Sequence, residues 1–600
     1  MPLRYITRIV LLFFTAVSGL AAQEEMYVYF GDVHVHSNLS TDAYVTGNQT
    51  VTPDMAYKFA RGMPIVHPTT RAKIRIDRPL DFLAVTDHAI NLGIDVMLKN
   101  EHELLQGTEW GRRLIDMAKG DSWDGFMRNA PTGEDRAVLM KDVFSAEIRQ
   151  AAWAMEIEAA EENYHPGKFT TLIGWEWTVV GEGWKNLHRC VLTDVGGDAA
   201  RRFIPLSNNE SSRPEELWDW LERTNADTGI DFVAIPHNSN ISGGLMFDLV
   251  DSNGLPVNSE YARTRMRWEP VIEVTQTKGT SEVHPDLAPT DEFADYEIRR
   301  KLLIGTPTPA DEGDYARSAL LRGLTIQHSA GVNPYKFGMI GSTDNHLGVT
   351  TVDESNFLGK LAVDALPADR AAEQRPIFPA WEMSASGLAA VWAPENTREA
   401  IFAAFKRKEV YATTGTRIRL RMFGGYRFHP RDARANDIGE VGYSKGVPMG
   451  ADLAKAPRGR APAFLIHAAR DPEGANLDRL QVIKGWLDKD GNPRQKIYEV
   501  AWSGIREQDA EGKLPPVGNT VDTSTGLYSN TIGSPQLAVV WEDPDFEPDQ
   551  IAFYYTRVLE IPTPRHSVFD ALALGIDVSE TGQPATLQER AYSSPIWYSP

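Results

Sequence analysis

Gly31-Asp32-Val33-His34-Val35-His36-Ser37 closes the first strand-like run of the chain, Met26-Tyr27-Val28-Tyr29-Phe30. Side-chain direction on an extended segment repeats every two residues, so His34 and His36 leave the same face. Two imidazoles on one face at the carboxyl end of a strand can grip a divalent metal. Taken alone, the pair equally fits one hydrogen-bonded histidine and one exposed histidine. The remainder of the chain decides between these readings.

Further runs of the same kind follow. They are Asp81–His88, Phe169–Thr178, Leu187–Leu192, Asp231–Asn238, Pro270–Thr277 and Phe337–His346, and Val410–Thr414 closes the set. Their cores are continuously apolar rather than alternating, which suits strands buried on both faces, as in a parallel sheet or barrel. Helical segments lie between them: Met140–Glu162, Pro214–Arg223 and Asn396–Arg407, the last with an Asn-Thr start and a basic end that complements the helix dipole. Strand–helix alternation predicts an α/β fold. The stretches 95–165 and 280–335 read as helical insertions that cap the site. After about residue 420, short alternating runs punctuated by Pro, Gly and Asp, with a hairpin signal at Lys489-Asp490-Gly491-Asn492, predict an antiparallel β domain over 421–600.

Polar, chemically capable residues lie at or just beyond several of these runs. Together these are His34, His36, His88, Glu176, His188, His237, Asp344 and His346, and six of the chain's 14 histidines fall in this set. In an α/β barrel the loops at the carboxyl ends of the strands build the active site, so one geometric assumption brings all eight groups to one mouth. Eight nitrogen and oxygen donors exceed the roughly four that one zinc needs. They suit two or three metals with shared ligands, an arrangement that polarises a substrate oxygen and lowers the pKa of a shared water to about 7.

The motifs His34-x-His36, Ser40-Thr41-Asp42, Thr86-Asp87-His88, Glu176, His188, Pro236-His237 and Asp344-x-His346 resemble, in this order, the PHP (polymerase and histidinol phosphatase) superfamily. The resemblance covers about residues 25–420. It implies a distorted (β/α)7 barrel and Asp42 as a ninth ligand. It further implies a centre of two or three divalent ions (zinc, manganese or iron) and a phosphoesterase-like hydrolase activity. Gly174-Trp175-Glu176-Trp177-Thr178, Gly341–His346 and Val410–Gly415 resemble more closely a group of long exported bacterial proteins catalogued as a domain of unknown function. The long interval between His88 and Glu176 and the β-rich C-terminal part depart from simple PHP phosphatases and leave the substrate open.

The metal set expected is therefore His34, His36, Asp42, His88, Glu176, His188, His237, Asp344 and His346. Glu176 bridges two metals, and His346 serves as a ligand or as the general acid. His237, His346 and Lys278 are the residues expected to act on the substrate. Asp87 is expected to orient an imidazole. Lys278, directly after the strand 272–277, is the first candidate cation for an anionic substrate, ahead of Lys185, Arg189 and Arg417. Asn238 and Asn345 are possible donors to a phosphoryl or sulfuryl oxygen. Trp175, Trp177 and Trp184 fit core packing better than a binding wall. Hydrolysis of a sulfate ester, lactone or amide, and a non-catalytic binding protein with a degenerate site, are the alternative readings. Against the last, no ligand position carries an apolar residue.

A formal net charge of −21 argues against a nucleic-acid partner and leaves room for a small anionic substrate beside bound cations. Residues 1–22 read as a secretory signal: Arg4 and Arg8 precede an apolar run from Ile9 to Val17 and the small-residue pattern Gly19-Leu20-Ala21. The mature chain is expected in the periplasm or outside the cell, with no stable membrane span. The single cysteine, Cys190, permits no intrachain disulfide and reads as a small buried residue near the histidines.

Overall fold

The computed structural model describes residues 25–119, 133–303, 305–372 and 379–600. The expected signal segment lies outside the described residues. Among the described residues no helix is long and apolar enough to cross a membrane.

Nine strands position the site: β1 (Tyr27–Val35), β2 (Phe82–Val85), β3 (Thr170–Trp177), β4 (Arg189–Thr193), β5 (Phe232–Pro236), β6 (Val271–Gln276), β7 (Gly338–Gly341), β8 (Leu388–Ala393) and β9 (Val410–Thr413). β2 through β9 are buried along their whole length. That explains their continuously apolar sequences, because neither face meets water. One hydrogen-bonded ladder runs β9–β8–β1–β2–β3–β4–β5, while β6 and β7 pair with each other in a separate sheet.

The fold is mixed α/β, as the alternation implied, but the expected seven-stranded barrel is not closed. The ladder is interrupted between β5 and β6 and between β7 and β8, where strands pack without pairing. Every strand from β1 to β8 still contributes to one buried cluster, for example Val33, Ala84, Leu172, Leu192, Ile235, Val271, Ile340 and Ala389. The strands thus surround a common interior. The directions also differ from a parallel barrel: β1–β2, β2–β3 and β6–β7 are parallel, whereas β3–β4, β4–β5, β1–β8 and β8–β9 are antiparallel. β8, whose run Leu388-Ala389-Ala390-Val391-Trp392-Ala393 ends in no ligand-type residue, has no counterpart among the predicted strands.

The long strands after residue 420 pair antiparallel, while the short Asp452–Leu453 pairs in parallel with Ile596–Tyr598, and most of them join the same sheet. Arg590–Ser593 pairs with β9, and Ala552–Glu560 continues to Leu477–Leu487 and Pro493–Trp502. A four-stranded sheet around Arg419–Gly425 and Ala463–Ala469 lies beside it. The change of sequence character near 420 therefore marks no gap in hydrogen bonding. The helix Ala316–Ala330 of the second insertion does not cap the histidines. Its Ala319, Leu320 and Leu324 share a core with Ile272 and Met339 on one side and Ile483, Phe553 and Tyr555 on the other. The helix Ala146–Asn163 of the first insertion also packs as an outer layer, with Trp153 and Ile157 against the β3 side chains Ile173 and Trp175.

Candidate metal centre

β1 delivers its histidines as the two-residue period requires. His34 and His36 are fully buried, and Val33 faces the shared interior. β1, β2, β3 and β5 run the same way, so His36, His88, Glu176 and His237 arrive at one end. His188 reaches that end for a different reason. It precedes β4, which runs backwards, so the amino end of this strand is the one at the mouth. Asp344 and His346 follow β7, and two backbone bonds, Asp344 N to His34 O (2.7 Å) and His36 N to Asn345 O (2.9 Å), stitch that loop to β1.

Glu176 is the hub. Its carboxylate lies 2.7 Å from His188 Nδ1, 3.1 Å from His36 Nε2, 3.1 Å from His88 Nδ1, 3.3 Å from His237 Nε2 and 3.4 Å from His34 Nε2. Asp344 approaches His34 at 3.6 Å and His36 at 3.5 Å. Asp42 approaches His88 at 3.2 Å and His346 at 2.8 Å. All nine expected ligands thus lie in one connected cluster. Three groups within it offer ligand atoms within 4.8 Å of one another: His34, His36 and Glu176; Glu176, His188 and His237; and His36, His88 and His346.

The donor chemistry fits divalent ions. Six imidazoles with Glu176, Asp344 and Asp42 are the nitrogen and oxygen ligands such ions take. The buried Nε2 of His188 has no hydrogen-bond partner. Burial raises the Glu176 carboxyl, but His88, His188 and His237 more than reverse this and hold it well below the usual range. His237 is pushed well below its ordinary value, chiefly by burial and then by His34. Burial likewise lowers His346 to about 3. His237 and His346, kept neutral, retain the lone pair that a metal requires, whereas at His34 the effect of Cys190, Asp344 and Glu273, and at His88 that of Glu176 and Asp42, outweighs burial and raises the imidazole well above its ordinary value. The cluster is not sealed: the Asp42 side chain is half exposed, and His88, His188 and His346 keep a small exposed edge on the same side.

The family model described as Protein of unknown function (DUF3604) matches residues 23–600. The chain belongs to this family. Among solved structures, a two-domain protein from Bacteroides vulgatus ATCC 8482 containing a predicted PHP-like metal-dependent phosphoesterase is similar at 11% identity and a TM-score of 0.28, with 88% of this chain and 90% of that chain covered. No curated protein matches the chain.

In this DUF3604 chain further residues support the side chains of the cluster. Asp87 acts on His36 through a serine: the hydroxyls of Ser37 and Ser40 donate to its carboxylate, and Ser40 Oγ lies 3.0 Å from His36 Nδ1. Cys190 is buried among the interior side chains with Sγ 3.7 Å from His237 Nδ1, so packing and proximity to the cluster coincide. Lys278 contacts Asp344 closely and is almost fully buried. Its ammonium is engaged with that carboxylate rather than presented to an open face. Asn238 Nδ2 and Gln276 Nε2 donate to the same Asp344 oxygen at 3.2 and 2.8 Å. Asn345 instead donates to the Gly359 carbonyl at 2.8 Å. Of the other candidate cations, Arg189 is buried against Glu269 at 2.9 Å, and Arg417 donates to the carbonyls of Arg78 and Pro79. Trp175 and Trp177 are core residues, and Trp184 is half exposed.

Three important residues escaped the sequence reading. Glu273 on β6 lies 3.0 Å from His34 Nδ1, where it fixes the ring that turns Nε2 to Glu176. Its signal was a charge inside the otherwise buried run Pro270–Thr277. Asp32 shares the face of His34 and His36, and it accepts bonds from the Thr343 and Thr350 hydroxyls and the Thr343 amide. It thereby holds the Asp344 loop against β1, and its place two residues before His34 was the available signal. Lys360, on a loop beyond His346, lies 3.0 Å from both Asp344 Oδ1 and His346 Nδ1, and burial lowers it to about 7. Nothing in its local sequence points to that role.

Proposed function

We propose that the chain is a metal-dependent hydrolase, with phosphate esters as the leading substrate class. One observation carries the reading: a single buried carboxylate, Glu176, lies within 3.4 Å of five imidazoles drawn from four separate stretches of chain. A purely structural core has no reason to gather so many hydrogen-bonding rings around one acid, because each buried polar group must find its own partner.

His34, His36, His88, His188, His237, His346, Asp42, Asp344 and Glu176 would hold two or three ions of zinc, manganese or iron. Bound there, such ions supply Lewis acidity toward a substrate oxygen and a supply of hydroxide near neutral pH. The protein residues do the positioning. Glu176 is reached from both the His34–His36 and the His188–His237 sides and so joins the two halves of the cluster. Glu273 and the Asp87–Ser40 pair fix the rings of His34 and His36. Lys278 and Lys360 neutralise Asp344 and orient its oxygens. Half-exposed Asp42, with the edges of His88, His188 and His346, marks the side from which a reactant enters.

Metal content per chain, measured on the full-length mature protein after reconstitution, tests the centre. Paired aryl phosphate, sulfate and lactone substrates test the bond. The expected outcome is two or three ions per chain and chelator-sensitive phosphatase turnover that His34→Ala and Asp344→Ala abolish. Preferred turnover of the sulfate or lactone would transfer the activity to that bond. A metal content near zero would overturn the reading in favour of a binding protein.

A further inference from the structure

A second cavity, of about 450 Å³, lies outside the histidine cluster, where the segments around Arg78, Val352 and Arg417 meet Asp471, Tyr528 and Glu560. Its volume is that of a site for a small organic molecule. Its chemistry is one-sided: seven carboxylates line it against two guanidinium groups. Both guanidiniums are already engaged. Arg78 pairs with Asp471 and, at 3.7 Å, with Glu473, while Arg417 donates to two backbone carbonyls at 2.8 and 2.9 Å. Two of the buried acids have hydroxyls as partners. Glu560 accepts from Thr416 at 2.7 Å, and Glu589 accepts from Tyr296 at 3.1 Å and from Thr414. Burial raises both to about 8, and at Glu560 the nearby Arg470 offsets only part of the rise.

Two further observations point to a ligand. Thr563 lines the cavity at 8% exposure, and its hydroxyl has no hydrogen-bond partner. Leu527, also in the lining, is 67% exposed, and with Tyr528 and Phe569 it gives the cavity an apolar wall. A bare metal ion would leave this wall and most of the volume unused.

We propose that this cavity binds a small organic cation, a primary ammonium on an apolar body. The ammonium sits between Glu560 and Glu589, where three N–H donors can satisfy two carboxylates and the Thr563 hydroxyl. The body lies against Leu527, Tyr528 and Phe569. Nothing in this assignment depends on the activity proposed for the histidine cluster.

Calorimetric titration of the full chain with phenethylammonium, with 2-phenylethanol as the uncharged analogue and with calcium chloride provides the test. The expected result is one phenethylammonium bound per chain and no saturable binding of the alcohol. Glu560→Gln and Glu589→Gln should each weaken the amine about tenfold, the loss of one charge-assisted contact. Leu527→Ala alters only the exposed rim, so it tests the apolar wall in a chain whose core is untouched, and it too should weaken the amine. Equal binding of the alcohol, absence of amine binding, calcium excluding the amine, or amine affinity unchanged in all three variants would overturn the proposal.

Discussion

At the scale of single residues the cluster depends on the second nitrogen of each histidine. His34 presents Nε2 to Glu176 because Glu273 holds Nδ1 at 3.0 Å. Carboxylates in such positions set the tautomer and basicity of a ligand, and their loss typically costs about 10–100-fold in metal affinity. Glu273→Gln keeps the shape and removes the charge. It is expected to weaken metal binding by about that factor, read by competition with a chromogenic chelator, while far-ultraviolet circular dichroism stays unchanged. Unaltered affinity would relegate Glu273 to packing. The residue also shows what can be read from sequence. The histidines stand out because they follow strand-like runs, whereas a lone acid within such a run gains meaning only when its neighbour across the interior is known.

At the scale of elements, glycine decides how the two sheets meet. A Cβ on Gly341 would stand 2.6 Å from the Thr413 carbonyl and 2.9 Å from that of Leu388, and a Cβ on Gly387 would stand 2.6 Å from the same Thr413 oxygen. These glycines let β7 press against β8 and β9 without a ladder between them. Gly341→Ala must therefore push β7 outward, and overpacking of this kind costs about 1–3 kcal/mol. Urea denaturation should show that loss, and metal content should fall with it, since Asp344 and His346 follow β7 directly. Full stability in the variant would mean that the interface yields more easily than its backbone contacts suggest. Strand existence was legible because burial on both faces leaves a continuous apolar signature. Strand direction was not, since an apolar run reads alike either way, and so the sequence did not show that β4 runs backwards and brings His188 to the mouth by its amino end.

At the scale of the whole molecule, a buried ionic network joins the segment 280–335 to the C-terminal strands. Asp291 is 2.8 Å from Arg317 and 2.6 Å from Arg557, and Arg317 is 2.6 Å from Glu282. Asp291→Asn would leave two buried guanidiniums short of a counter-charge, a change that typically costs about 3–5 kcal/mol. The expected outcome is a markedly lower urea midpoint, and a midpoint within error of the parent would refute it. The acids of the second cavity act in the opposite sense. Glu560 and Glu589 are raised to about 8 when folded, with Asp471 adding to the rise at Glu560 and Arg470 opposing it. An unfolded glutamate releases its proton near 4.3. Between those values the folded state holds protons that the unfolded state has lost, so stability should decline as pH rises from about 5 to about 8. Thermal melts across that range should show the descent, and Glu560→Gln should flatten it. Parallel slopes in parent and variant would contradict the assignment.

The amino-acid sequence by itself determined the strand-forming runs, the donor chemistry of the cluster and the order in which its residues occur, because burial and side-chain alternation act over a few residues. Only the tertiary structure decided strand direction, the openings in the ring of strands, and the merging of the C-terminal strands with the central sheet. It alone also brought Glu273 and Lys360 to the cluster and Glu560 to the second cavity. These depend on pairings between residues far apart in the chain, and no local pattern encodes which distant partner a buried charge will meet.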